Sequence, residues 1–497
     1  MDRGSCWNVR SASSHRGDEM TETRRHVSAR ALIRGVVRLG TALAAVVMYA
    51  DVPAIAQAQT TDESPVYELT ECIDRALAAS HTLRIARGDE TAARADLLGA
   101  KAARWPVLSL SAGGRYVSEV NEIELPTLPP RTLKLGDNDS YEMAANAEVP
   151  LFTGGRLSAS NDARQALVDA SASEVSAESL RVVHDVRVAF FQALGADADV
   201  AAAVRAEERL GRHLEEVDGK IEVGVAPEEA RLAVQSRMRM AEANRVASVE
   251  RRTLARLSLG ALLGQVGVAV VPSGSLGDRA WGGAEGANMA TMSPSGSTST
   301  STPTRDASGI FTNSPDEWSQ RPEVATAENR KSAADHLVRA TRSAYLPSVV
   351  AVAGVHYGKP GVQLVNNDWM DWATAGVELR WTLWDAGSRR AELERKLAES
   401  NSADEAVQQV RLGLEAAHAA ARERVTSRRE QLEVAEERVE LESKRLTLTE
   451  GRYRQGASTE SEFLDVQDDL ADAESALEAA RAALRVAEAD LLYAVGR

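Results

Sequence analysis

Catalysis needs reactive side chains at short, purposeful spacings, and this sequence offers few. Its eight histidines are scattered, and no His-Glu-x-x-His, paired-cysteine or phosphate-loop pattern occurs. The expectation is a chain with no catalytic residue, no cofactor and no bound metal, and hence no enzyme. One acidic pair stands out. Glu462 and Asp465 lie three residues apart just beyond Gly456 and so share a helix face. Such a pair is either a solvated acidic face or two carboxylates set to attract cations and repel one another. The elements that hold it decide between these readings.

Those elements repeat. Gly155 to Gly224 and Gly387 to Gly456 each span 69 residues without a proline, and Gly264 and Gly496 keep the same offset of 232 between copies. At ~1.5 Å rise per residue, a helix filling that interval is ~100 Å long, more than a globular domain uses. In the second copy Val425, Leu432, Val439, Leu446 and Tyr453 recur every seven residues, and Val434, Leu441 and Leu448 follow two behind. Two residues are ~200° of rotation, so these seams lie on opposite sides, as in a stave held between two neighbours. The first copy keeps only Val186, Val200, Leu214 and Ile221 of the main seam.

Composition narrows the class. Aromatics are only 4%, thin for compact cores, and the net charge of −15 with interspersed basic residues gives no footprint for nucleic acid. Residues 1–58 read as an N-terminal extension and signal peptide: Arg24, Arg25, Arg30, Arg34 and Arg38, an apolar run from Leu39 to Ala50, then Ala56 and Ala58 at a cleavage site, with Met20 a candidate start. No later stretch approaches the ~20 apolar residues of a spanning helix. The mature chain is therefore exported and either soluble or inserted through strands. Cys72 lies too far past the signal to be a lipid-anchored first residue.

The rest parses into a first repeat, 59–264, a Gly/Ser/Thr/Pro-rich linker or insert, 265–320, and a second repeat, 321–497. Each repeat reads as helix (Tyr67 to Arg104; Arg321 to Tyr345), strand, loop, strand, glycine turn, long helix, glycine reversal and return helix. The strands are Val107 to Ser118, Tyr141 to Leu151, Ser348 to Tyr357 and Trp372 to Trp384, and the segments Glu119 to Asp139 and Gly358 to Asp371 read as loops. At ~10 to 13 residues with alternating polarity, these strands have the length that crosses an outer membrane. Trp105, Phe152, Tyr345, Trp381 and Trp384 fall at their helix-side ends, as an interfacial aromatic belt would. Four strands cannot close a barrel, and a spanning sheet leaves no edge in lipid, so closure requires several chains. A small soluble sheet capping a coiled coil is the competing reading.

At this point the chain resembles the TolC-like outer-membrane efflux proteins, the outer membrane factors, over its mature length. The matching segments include Leu69-Thr-Glu-Cys-Ile-Asp-Arg-Ala-Leu77, Val149-Pro-Leu-Phe-Thr-Gly-Gly-Arg156, Arg321-Pro-Glu323, Tyr345-Leu-Pro347, Trp381-Thr-Leu-Trp-Asp-Ala-Gly387 and Arg452-Tyr-Arg-Gln-Gly456. The resemblance implies a mainly α fold with a membrane β-barrel: duplicated long hairpins forming an α-barrel, and four strands per chain contributing to a twelve-stranded barrel in a homotrimer. It implies a passive exit duct in the outer membrane, reaching into the periplasm, for efflux or type I secretion. The implied partners are outer-membrane lipid, a periplasmic adaptor and an inner-membrane pump of RND, ABC or MFS type.

The alternative is a periplasmic adaptor or coiled-coil scaffold without a pore. By resemblance, Val223, Gly224, Val225, Gln455, Gly456 and Ala457 are adaptor-facing tips, and Glu462 and Asp465 line the pore constriction. Tyr453 matches a tyrosine that in some members holds the entrance shut, but its partner's position is Ala230 and that of a companion base is Ser458, which leaves Glu229 as the candidate acceptor.

Overall fold

The structure is a computed structural model and describes residues 65–126, 131–135, 138–277, 317–359 and 368–497. The candidate signal peptide and the Ser/Thr-rich tract from Ser293 to Pro303 lie outside them. Two helices set the frame. Helix α3, Arg156–Glu222, and helix α6, Ser388–Arg454, both have 67 residues; their return helices α4, Glu228–Leu262, and α7, Glu460–Ala494, both have 35. Gly155 at φ 85° and Gly387 at φ 93° start the long helices in the left-handed region, which side chains other than hydrogen disfavour.

Toward the strands the helices stand in the order α2–α3–α5–α6, where α2 is His81–Ala102 and α5 is Pro322–Arg342; toward the other end the order is α4–α3–α7–α6. Helix α3 is thus central throughout, and α6 lies at one edge. Small residues permit close approach: a Cβ on Gly195 of α3 would stand 2.5 Å from the Cβ of Ala482 on α7. Val186, Phe190, Phe191 and Leu194 of α3 form the waist core with Leu69, Cys72 and Ala76 of α1, Leu69–Ala79, and with Leu259 of α4 and Leu263 just after it.

The two seams of α6 separate. Val425 is buried and Leu432, Val439, Leu446 and Tyr453 are partly buried, whereas Val434, Leu441 and Leu448 are exposed, Leu448 at 71%. The opposite edge, α4, likewise exposes Leu232, Met240, Val246 and Leu254. Both edges of the helical layer therefore carry uncovered apolar lines.

One antiparallel sheet has the order β2–β5–β7–β8: Val107–Tyr116, Asp139–Phe152, Ser348–Lys359 and Met370–Arg380. Its register places Leu108, Ala147, Ala353 and Ala375 in one cross-strand row, and Leu110, Ala145, Val355 and Ala373 in the next. The other face carries Ser109, Asn146 and Thr374. His356 there stacks on Trp372 at 5.1 Å and lies 2.8 Å from Glu142. The alternation read from sequence is this two-faced sheet, with its apolar face uncovered: Leu108 is 79% exposed. Among the described residues, β2 and β8 have no strand partner on their outer sides.

Four expectations change. The first helix is two, because Ser80 leaves helical geometry and its Oγ accepts the N–H of Leu83 at 3.1 Å, capping α2. Tyr67 belongs to a two-residue strand, β1, Val66–Tyr67, paired in parallel with β6, Val271–Pro272, and Val270 and Leu276 beside β6 pack into the waist core. The expected loop after β2 contains a hairpin, β3 and β4, Asn121–Leu125 against Arg131–Leu135. The last strand stops at Arg380, so Trp381 and Trp384 follow it rather than end it.

The contact at Gly195 predicts opposite signs for two helix-interior glycines. Gly195→Val should destabilise by about 1–3 kcal/mol through overpacking against Ala482. Gly211→Ala, where no atom lies within 4 Å of the added methyl, should stabilise by about 0.5–1 kcal/mol through helix propensity. Thermal unfolding followed by circular dichroism checks both, and shifts of the same sign would contradict the close packing.

Candidate functional site at the hairpin tips

Both reversals use one geometry. Gly224 at φ 72° and Gly456 at φ 74° take the left-handed position after the helix. The N–H of Val225 reaches Lys220 O at 2.8 Å, and that of Ala457 reaches Arg452 O at 2.8 Å, a Schellman closure in each case. Val223 and Val225 are left 73% and 74% exposed on the first tip, while Gln455, Gly456 and Ala457 present a polar second tip. After the tips the copies diverge. Pro227 opens α4, whereas Thr459 opens α7 with a capping box: its Oγ1 accepts the N–H of Glu462 at 3.2 Å, and Glu462 accepts from the Thr459 N–H at 3.2 Å.

The two expected constriction residues thus have local partners. Glu462 also accepts from Ser458 Oγ at 2.6 Å, the largest of the influences holding its carboxyl below the usual range. Asp465 is half-exposed and pairs with Arg237 of α4 at 2.8 Å, and the same guanidinium binds Asp468. Burial pushes the Asp468 carboxyl up; Arg237 opposes this, while Asp472, Asp465 and Asp469 add to it. Offset by 232, the first copy has Ala230 and Ala233 in place of Glu462 and Asp465, so the acidic face is a property of α7 alone. Beyond Arg237, α4 and α7 part around a cavity of about 470 Å³ lined by Ala202, Ala206, Ala241, Asn244, Asp468 and Asp472.

Tyr453 is tied down, though not to Glu229, which is exposed. Its hydroxyl donates to Glu460 on the far side of the same turn. The other Glu460 oxygen lies 2.5 Å from Nε2 of His213 on α3, a residue only 3% exposed. Phe463 completes the knot, stacked on Tyr453 at 5.1 Å and tilted against His213 at 4.6 Å, while Lys220 Nζ sits 4.1 Å from the Tyr453 ring centroid. Burial pushes Glu460 up, but hydrogen bonds from His213 and Tyr453 outweigh it, and the carboxyl lies below its ordinary value. Burial, followed by the bond to Glu460, carries the Tyr453 hydroxyl well above its usual range. Leu464 inserts next to this knot among Leu210, Val217 and Val234.

Sequence reading missed His213, Glu460, Arg237 and Asp468. The available signal was His213 itself: Leu210, His213 and Val217 follow core spacing, so a polar residue at that position calls for a partner.

At the strand end, Trp105, Phe152, Tyr345, Trp381 and Trp384 are all exposed, and Trp381 Nε1 donates to Tyr345 O at 3.2 Å. A second aromatic group, absent from the sequence reading, marks the far end of the sheet. It comprises Tyr116, Tyr141, Tyr357 and Trp369, with Tyr357 and Trp369 stacked at 5.1 Å. A sheet with one apolar face between two aromatic belts, continued by long helices, defines a membrane-inserted β-structure with a helical extension.

Comparison with known proteins gives the family. The profile of the outer membrane efflux protein family matches residues 72–265 and 315–497. Solved structures share the fold: the outer-membrane channel OprN at TM-score 0.69 and 19% identity, covering 86% of this chain and 89% of that one; CusC at 0.69 and 19%, covering 86% and 91%; and VceC of Vibrio cholerae at 0.66 and 18%, covering 86% and 96%. No curated sequence matches. The chain belongs to the outer membrane efflux protein family. It is an outer-membrane duct component that extends into the periplasm, not a pore-less adaptor.

The depressed Glu460 carboxyl fixes a pH dependence. Its stabilisation is fully present above the ordinary carboxylate range and is lost as pH falls through the lower folded value. Acid should therefore loosen the second tip, read as protease cleavage between Tyr453 and Glu460 increasing below about pH 4. Glu460→Gln should be loose already at neutral pH and lose that dependence; an unchanged acid profile would refute the role of this knot.

Proposed function

We propose that the chain is the homotrimeric exit duct of a tripartite efflux or type I secretion assembly, taking substrate from a periplasmic adaptor and an inner-membrane pump of RND, ABC or MFS type. The observation that carries this reading is the matched set of open edges. Among the described residues, the sheet ends in β2 and β8 with no strand on their outer sides and its apolar face bare, and the helical layer ends in bare seams on α4 and α6. Copies arranged in a ring would pair β8 with the next β2 and set the α6 seam against the next chain, and three copies bring twelve strands to the barrel. Nothing in such a duct requires chemistry of its own, because the pump supplies the work and selects the substrate.

In this reading the tips, Val223, Gly224, Val225, Gln455, Gly456 and Ala457, are where the adaptor docks. Glu462 and Asp465 form the entrance constriction, in which Asp465 is partly neutralised by Arg237. Entrance closure is carried by two ties from α7 to its own chain: the Tyr453–Glu460–His213 knot and the Arg237 fork on Asp465 and Asp468. Glu229 has no part in them. Opening swings α7 away from α4 and exposes the carboxylates.

Two experiments test this. Leu441→Glu with Leu448→Glu should leave helix content unchanged while abolishing trimers in size-exclusion chromatography, and channels in planar bilayers should disappear with them. Persisting trimers would remove the edge argument. In single-channel recordings, Glu462→Ala with Asp465→Ala should lower cation preference and weaken block by multivalent cations, whereas Arg237→Ala should raise both. Unchanged conductance and block in all variants would remove the entrance assignment.

A further inference from the structure

The boundary between helices and strands carries positive charge that nothing else in the chain uses. Lys101 and Arg104 lie at the end of α2, Arg342 ends α5 and Arg156 begins α3. All four are exposed, and among the described residues none of their side chains has an ionic or hydrogen-bonded partner. Three neighbouring acids are already engaged, Asp385 with Arg389 at 2.9 Å, Glu394 with Arg390 at 2.9 Å and Asp96 with Arg164 at 2.9 Å, while Glu148, opposite Val107, is exposed. Even with Glu148 set against them, the four unpaired cations leave this boundary with an excess of positive charge in a chain whose net charge is −15.

For Arg156 the placement also works against the helix, whereas Lys101 and Arg342 lie in last turns, where the dipole favours a cation. The return helices begin with Glu228 and Glu229, and with Glu460 and Glu462, as the helix dipole favours. The first turns of α3 and α6 hold no acid and carry Arg156, and Arg389 and Arg390, instead. Arg389 and Arg390 are paired within the chain, so Arg156 is the one left unpaired where its helix disfavours it, and its partner is to be sought outside the chain. The five exposed aromatics of the strand end occupy the same level.

We propose that this collar binds the headgroups of anionic phospholipids in the periplasmic leaflet of the outer membrane. The aromatic rings occupy the hydrocarbon boundary, and Lys101, Arg104, Arg156 and Arg342 extend their stems along it to lipid phosphates, which guanidinium groups grip through two parallel hydrogen bonds. The contact fixes the height of the duct, with the sheet in hydrocarbon and the Gly155 and Gly387 turns at the surface.

The test uses the full protein reconstituted with spin-labelled phosphatidylglycerol or phosphatidylcholine, measuring the relative association of each lipid by electron paramagnetic resonance. The wild type should prefer phosphatidylglycerol about threefold or more at low salt and lose most of that preference in 1 M salt. The variant K101A/R104A/R156A/R342A should bring the ratio near one, while Arg115→Ala at the far end of β2 should leave it unchanged. If the fourfold variant fails to insert, Arg156→Ala and Arg342→Ala singly should each reduce the ratio. Equal association of both lipids with the wild type, or an undiminished ratio in the inserted variants, would overturn the proposal.

Discussion

The structure depends on one packing constraint, the central position of α3. It touches α1 and α4 within its own repeat and α5 and α7 of the other, so every layer takes its position from it. Such a helix must be apolar on more than one side. Its buried residues, from Ala159 through Val186 and Phe190 to Val217, do not form a single stripe. Helix α6 has the same length but lies at the edge, and its mean composition is more polar, with four residues buried along its 67. The duplication is therefore equal in length and unequal in burial. That inequality explains why the seven-residue seam is clean in α6 and blurred in α3, where several partners impose several periods at once.

Length and topology were legible because they rest on local rules. Glycines at positive φ end and restart helices at fixed points, and strand polarity alternates every second residue, so Gly155, Gly224, Gly387 and Gly456 gave the frame directly. What stayed hidden was short or distant. Two-residue strands such as Val66–Tyr67 have no period to detect. The capping serine at position 80 sits in an Ala-rich run that reads as continuous helix. His213 and Glu460 are 247 residues apart, and Arg237 and Asp465 are 228 apart, so no window of sequence holds both members. The acids at 462 and 465 were visible and Arg237, which pairs with Asp465, was not, which made the face look more highly charged than it is.

The two copies also differ at their tips. At the first tip, exposed Val223 and Val225 flank the glycine; at the second, the turn leads into a capping box and an acidic helix. Ala230 and Ala233 occupy the places of Glu462 and Asp465, so the first hairpin brings no carboxylate to that face. In the function proposed above, a duct needs contact surface and a charged entrance from the same set of hairpins, and a division of labour between the repeats would meet both needs without changing the length of either.

The two ties that hold α7 differ in strength for a physical reason. Arg237 and Asp465 are both substantially exposed, at 34% and 55% of their side chains, and an ion pair in water contributes about 0–1 kcal/mol. His213 is buried, and breaking its bond to Glu460 leaves a polar ring in an apolar site, which costs about 1–3 kcal/mol. A docking partner covering Val223 and Val225 gains more than the first amount from apolar burial alone. In the opening proposed above, the fork at Arg237 would therefore yield first while the knot around His213 keeps the turn itself intact, and the cavity between α7 and α4 would give α7 room to move.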